Sequence, residues 1–165
     1  MRTRIGIIGD THGVVHAELA ELFRGVDQIV HTGDVGGAAV LDALAAIAPV
    51  LGVRGNYDTE AEVRERLLPD PSAITLAGLP AILTHRLISL EWTTHHDLIA
   101  ALLAERPSPP RLFIFGHTHE PVLEELHGIF FVNPGYSGPD PLEGPSTAAI
   151  LEIEQERIWG EMVKL

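Results

Sequence analysis

A chain of 165 residues with 45% hydrophobic content can bury one sizeable core and is too short for two domains of ordinary size, so a single domain spanning 1–165 is expected. Its formal charge of −12, with ten arginines and one lysine scattered along the chain, argues against a nucleic-acid partner, whose phosphates it would repel. The absence of cysteine excludes disulfides and thiolate metal sites; no apolar run is long enough to span a bilayer and the N-terminus lacks a secretory pattern, so a cytoplasmic protein is expected.

In chain order, the apolar run Ile5–Gly9 reads as a buried strand ending at Asp10. The spacing of Ala17, Leu19, Ala20, Leu22 and Phe23 predicts a helix from His16 to Arg24, stopped by Gly25. Gln28–His31 reads as a second strand ending at Gly33-Asp34, and an Ala/Leu-rich helix is predicted from Ala38 to Ile47. Pro49–Val53 reads as a third strand, ending at Gly55-Asn56. Such strand-loop-helix units argue for parallel strands with crossover helices, and sites in open α/β sheets form at the carboxyl ends of strands. Downstream, Ala73–Leu76 and Pro80–Leu83 flank Ala77-Gly78-Leu79 as a hairpin, so this half is expected to be partly antiparallel. A helix from about Leu90 to Leu103, a Pro-rich connection Arg106–Pro110 and a strand Arg111–Phe115 lead to Gly116-His117-Thr118-His119. Short strands follow at Val122–Leu126, Ile129–Val132, Thr147–Glu154 and Arg157–Val163, with Gly138–Pro145 a Pro/Gly-rich loop expected to be exposed and mobile.

Five strand ends carry candidate ligands. Asp10 and His12, flanked by Gly9 and Gly13, can turn toward one ion, or Asp10 can cap a turn beside an exposed His12. Gly33-Asp34 and Gly55-Asn56-Tyr57-Asp58 equally suit turn and cap chemistry. His85, after Ile82-Leu83-Thr84, reads in isolation as a hydrogen-bonded structural residue. His117 and His119 favour ligation even alone, because two imidazoles after a buried strand are costly unless something uses them. Together, the order D-x-H, G-D, G-N-x-D, H, G-H-x-H makes coincidence implausible.

This order and content resemble the calcineurin-like phosphoesterase superfamily, and within it the small, single-domain bacterial and archaeal phosphodiesterase branch, from Asp10 to about Ser137. The resemblance implies an α/β fold, a four-layer α/β-β/α sandwich of two mixed sheets flanked by helices. It implies that Asp10, His12, Asp34 and His119 hold one metal and Asp34, Asn56, His85 and His117 the other, with Asp34 bridging. Asp10, Asp34, Asn56 and His117 are the members of this set expected to act in catalysis. Two cations about 3.5–4 Å apart can share a water, lower its pKa and neutralise the phosphoryl oxygens during in-line displacement. Oxygen and imidazole donors without sulfur suit two divalent ions, Mn2+ favoured, with Fe2+, Zn2+ or Ni2+ as alternatives. The function so implied is a metal-dependent phosphoesterase, foremost a phosphodiesterase, acting on a small phosphate ester, with a homo-oligomer as an allowed assembly. One alternative is a protein-binding scaffold, which one eukaryotic relative of this branch resembles. A nucleotide or dinucleoside-polyphosphate phosphatase is another, which an aromatic content of 5% does not favour.

The chain departs from the family pattern at several points. Where many relatives carry a His able to protonate the leaving oxygen, this chain has Tyr57, so Tyr57, Asp58 or a metal-bound water would have to substitute. The H-G-H motif of relatives is here His85-Arg86-Leu87, and Arg86 either reaches a substrate phosphate or lies on the surface. Asn133-Pro134-Gly135-Tyr136-Ser137 resembles an N-P-G-S segment with one residue inserted, a tight turn with a potential place near substrate. His95 and His96 fall in a predicted helix facing solvent or neighbouring acids, and His16, His31 and His127 are expected to be structural or exposed.

Overall fold

In β1 (Arg2–Ile8), Ile5 and Ile7 enter one apolar cluster and Ile8 another, the period-two alternation of a strand covered on both faces. The computed structural model describes residues 1–86, 99–100 and 103–165. β1 pairs in parallel with β2 (Gln28–His31), and β2 with β3 (Val50–Gly52); α1 (Leu19–Leu22) and α2 (Ala38–Ala45) lie on the two crossovers. α1 is shorter than the predicted His16–Arg24, since only Leu19 and Phe23 are needed to reach the core from this segment and turns complete the rest. A short helix, α3 (Ala61–Glu65), follows β3 and carries too little apolar periodicity to be read from sequence.

The second sheet comprises β4 (Ser72–Leu76), β5 (Leu79–Leu83), β6 (Leu112–Ile114), β7 (Val122–Leu126) and β8 (Ile129–Asn133), in the order β4-β5-β6-β8-β7. Its three middle strands run parallel and its edges antiparallel. The β4–β5 and β7–β8 connections are two-residue turns with positive φ at both positions, Ala77-Gly78 and His127-Gly128, the left-handed pairs that match strand twist. The chain then returns to the first sheet. β9 (Thr147–Glu154) lies antiparallel to β1, and β10 (Arg157–Lys164) to β9, giving the order β10-β9-β1-β2-β3. Both sheets are thus mixed.

Three apolar layers hold this together. Ile5, Ile7, Val30, Leu83, Ile114, Val132 and Leu151 form the core between the sheets. Leu19, Phe23, Leu41 and Leu44 of the α1–α2 side cover the outer face of the first sheet at Ile8 and Ile29. Phe113, Phe115, Ile129 and Phe131 line the outer face of the second sheet, with Phe113 and Phe131 stacked at 5.2 Å, and meet Ala100 with Ile99 and Leu103. Residues 99, 100, 103 and 104 are helical, which supplies the fourth layer; most of the predicted Leu90–Leu103 helix, and His95 and His96 with it, lies outside the described residues.

Gly6 sets how closely α1 can approach. A Cβ there would stand 2.8 Å from Cδ1 of Phe23, whose ring is fully buried. Gly6→Ala is expected to destabilise the protein by about 1–3 kcal/mol, read as a lower urea midpoint at unchanged m.

Candidate metal centre

The loops that leave β1, β2, β3, β5 and β6 at their carboxyl ends carry Asp10 and His12, Asp34, Asn56, His85, and His117 and His119 in turn. They converge. Asp10, His12 and His119 form one group and Asp34, His85 and His117 another, with one ligating atom from each residue within 4.8 Å of the others in its group. Asp34 links the two, since its Oδ2 lies 3.3 Å from His85 Nε2 and 4.0 Å from His12 Nε2. Asn56 joins the second group through Oδ1, 2.9 Å from His85 Nε2. All seven residues singled out in the sequence therefore meet at one place.

The backbone is bent to aim them. Asp10, His12, Asp34, His117 and His119 all adopt positive φ, between 43° and 70°, a conformation that costs a residue with a Cβ and persists where surroundings impose it. Among the described residues the only other non-glycine examples are Ala77, His127 and Gln155, all in hairpin turns. Strain is thus concentrated on the candidate ligands. Gly55 allows the loops to touch, because a Cβ there would stand 2.1 Å from both the backbone nitrogen and Oδ1 of Asp34.

Buried polar residues brace these loops against one another. Asp58 is buried and accepts hydrogen bonds from the backbone N–H groups of Asp34 (2.9 Å), Val35 (2.8 Å) and Gly55 (2.7 Å). Asp58, one of the candidates to replace the missing leaving-group acid, has both oxygens engaged in tying the second and third loops together. His31 is also fully buried. Its Nδ1 accepts from the Gly33 N–H at 3.1 Å, so the ring proton sits on Nε2 and is donated to Thr11 Oγ1 at 3.0 Å. That hydroxyl in turn donates to the Val35 carbonyl at 2.8 Å, joining the first loop to the second. Burial above all pushes the His31 pKa down to about 4. Asn133 donates its amide to Gly116 O and Thr118 Oγ1, which steadies the loop of His117 and His119. His16 is half-buried against the Ser137 carbonyl, and His127 is exposed in its hairpin turn.

The carboxylates of Asp10 and Asp34 are almost wholly buried, a costly placement unless positive charge meets them. Asp10 Oδ2 accepts from the His117 N–H at 3.0 Å, while Oδ1 has no hydrogen-bond partner among the described residues and stands 3.5 Å from His119 Nε2. Asp34 Oδ1 accepts from the Tyr57 N–H at 2.8 Å. Burial alone would raise the Asp34 pKa, but the adjoining His85 and the Tyr57 N–H outweigh it and hold the carboxyl below its ordinary value.

His85 and His119 supply the positive charge. Nδ1 of His85 meets the Thr32 carbonyl at 2.8 Å, and its Nε2 meets Asn56 and Asp34 oxygens. Nδ1 of His119 meets Glu143 Oε2 at 2.6 Å and its Nε2 faces Asp10. Every partner is an acceptor, which favours the doubly protonated form of both rings. For His85, burial works against the charged form and the two carboxylates prevail, raising its pKa. The Asp10 carboxylate, with Glu143 adding and burial opposing, raises that of His119 to about 9. His117 behaves differently: burial, then the charges of His85 and Arg86, lower its pKa. An orphaned buried carboxylate oxygen, two carboxylates and four imidazoles converging without sulfur fit divalent cations.

No sequence pattern marks Glu143. It lies in the Pro/Gly-rich loop, which is exposed as expected but is held by a 3-10 turn, Pro141–Glu143, capped by Asp140 Oδ1 on the Leu142 N–H at 2.9 Å. Tyr136 was likewise hidden in its turn motif; it is buried, with its ring 4.6 Å from that of His119. Tyr57 stands exposed beside His12, and Arg86 is exposed after His85.

Two outcomes follow from these contacts. Glu143→Ala is expected to weaken the binding of added divalent cations by roughly 10–100-fold in calorimetric titration, and, with the His119 pKa raised to about 9, coordination through its Nε2 should release a proton. His31, with a pKa depressed to about 4 from an ordinary 6.5, favours folding most above the ordinary value and loses that advantage as pH falls toward the folded one. On lowering the pH of metal-free protein from about 7.5 to about 5, denaturation should therefore show wild type losing roughly 2 kcal/mol relative to His31→Gln.

Comparison with known proteins accords with this geometry. The family model of the calcineurin-like phosphoesterase superfamily domain matches residues 3–156. A probable metallophosphoesterase of Methanothermobacter thermautotrophicus is 28% identical, over 97% of this chain and 91% of its own. A phosphodiesterase of Methanocaldococcus jannaschii is 26% identical, over 93% of this chain and 95% of its own. Among solved structures, a mutant of Vps29 from Entamoeba histolytica shares the fold at a TM-score of 0.74 and 20% identity, covering 99% of both chains. With its two mixed sheets, its ligand-bearing strand ends and a family match over most of its length, the chain belongs to the calcineurin-like phosphoesterase superfamily.

Proposed function

We propose that the protein is a dinuclear metal-dependent phosphodiesterase acting on a small phosphate ester. The observation that carries this reading is the meeting of seven oxygen and nitrogen donors in two groups with Asp34 between them. Asp10, His12, Asp34 and His119 would hold one cation and Asp34, Asn56, His85 and His117 the other. When bound, such a pair acidifies water and neutralises phosphoryl oxygens. Mn2+ is favoured, with Fe2+, Zn2+ or Ni2+ able to use the same donors.

The chain's own residues prepare the site. Glu143 and the Thr32 carbonyl hold the Nδ1 protons of His119 and His85, which turns each Nε2 toward the carboxylates. The carboxylates of Asp10 and Asp34, buried at adjacent strand ends, would draw cations in. His117 is exposed, and its lowered pKa favours the neutral ring that ligation needs. Arg86, exposed after His85 and near enough to His117 to lower its pKa, is the residue we propose to meet a phosphoryl oxygen. With Asp58 committed to the backbone, no carboxyl from the third motif is free to protonate the leaving oxygen, so esters with good leaving groups should react best.

A second reading, a protein-binding module, is favoured by the likeness in fold to Vps29. The full donor set ranks it below the enzyme, because a scaffold has no need of it.

Hydrolysis of bis(4-nitrophenyl) phosphate should require added Mn2+ and fall at least about 100-fold in Asp34→Asn, with the variant's circular dichroism unchanged. Activity indifferent to both metal and Asp34 would refute the reading, and elemental analysis finding no ion after metal loading would favour the module.

A further inference from the structure

Five large apolar side chains stand exposed among the described residues: Met1, Val15, Tyr57, Leu142 and Trp159. A single exposed hydrophobe is ordinary on a protein surface. Three of these five, however, lie on loops that build the candidate metal centre. Val15 follows His12, Tyr57 follows Asn56, and Leu142 precedes Glu143, the partner of His119.

Tyr57 is the largest of the three and the most firmly placed. Its N–H is bonded to Asp34 Oδ1 at 2.8 Å, and the next residue, Asp58, is drawn inward by three backbone N–H groups. The main chain on both sides of Tyr57 is therefore fixed while its side chain is left 70% exposed. Its ring meets that of His12 edge-on, with centroids 5.5 Å apart and planes at 77°. An edge-on neighbour leaves ring surface open, and it is open beside the residues that would hold the reacting phosphate.

We propose that Tyr57 is a stacking platform that selects phosphate esters bearing a planar aromatic group, an aryl ring or a nucleobase, placed beside His12. This rests on the phosphodiesterase reading and names its substrate class. A flat, rigid ring costs little conformational entropy to use and binds any planar partner, whereas an alkyl ester finds only the polar cluster.

The test is calorimetric binding of three probes to Mn2+-loaded protein: methylphosphonate, phenylphosphonate and thymidine 5′-monophosphate. The ring-bearing probes are expected to bind wild type about 5–10-fold more tightly than methylphosphonate, and that preference should collapse toward unity in Tyr57→Ala and persist in Tyr57→Phe. A preference confined to phenylphosphonate assigns the platform to aryl groups, and one confined to thymidine 5′-monophosphate assigns it to nucleobases. No preference in wild type, or one that survives in Tyr57→Ala, overturns the proposal. Hydrolysis of bis(4-nitrophenyl) phosphate is measured alongside. Ring selectivity without turnover would sink the phosphodiesterase reading alone, and turnover without ring selectivity would sink the platform alone. Tyr57→Ala removes only an exposed ring and keeps the backbone bond to Asp34, so folding is not at stake.

Discussion

Two carboxylates, Asp10 and Asp34, sit almost entirely out of water at the ends of adjacent parallel strands, and the rest of the centre answers to that fact. A buried carboxylate must be hydrogen-bonded and met by positive charge, or it will take up a proton. Backbone N–H groups from His117 and Tyr57 supply part of the compensation. His85 and His119 face them as well, each with its charged form favoured and an acceptor on its far nitrogen. A proton or a cation at the candidate ligands would answer the same negative charge.

The same demand accounts for the bent backbone. A strand running straight on past Ile8 or His31 would carry its polar residues onward, past the point where the loops meet. Left-handed turns at five of the candidate ligands redirect the chain instead. Their cost is offset by polar residues that bridge loop to loop: Asp58 from the third to the second, His31 and Thr11 from the second to the first, and Asn133 from β8 to the loop after β6.

Much of this was legible in the sequence. Apolar runs ending in Asp, Asn or His located the strands and the ligands together, because a strand's hydrophobic stretch and its polar terminus are local features. The return of β9 and β10 to the first sheet was not legible, since pairing with β1 joins segments separated by most of the chain. Glu143 escaped for a related reason. An acid in a Pro/Gly-rich loop gives no periodic signal, and only the fold brings it to His119. Asp58 misled because the residues of a turn that serve substrate and those that serve the backbone look alike in sequence; burial and three N–H donors separate them. His31, read only as structural or exposed, emerged as a buried link between loops.

Each group of ligands draws on both sheets. Asp10 and His12 come from the strand ends of one and His119 from the other; Asp34 belongs to the first, His85 and His117 to the second. An ion clasped by either group would rivet the two halves of the sandwich across the seam of their shared core. Any slide of one sheet over the other would then loosen the grip on the ion, so fidelity of coordination and integrity of the sandwich become one mechanical property.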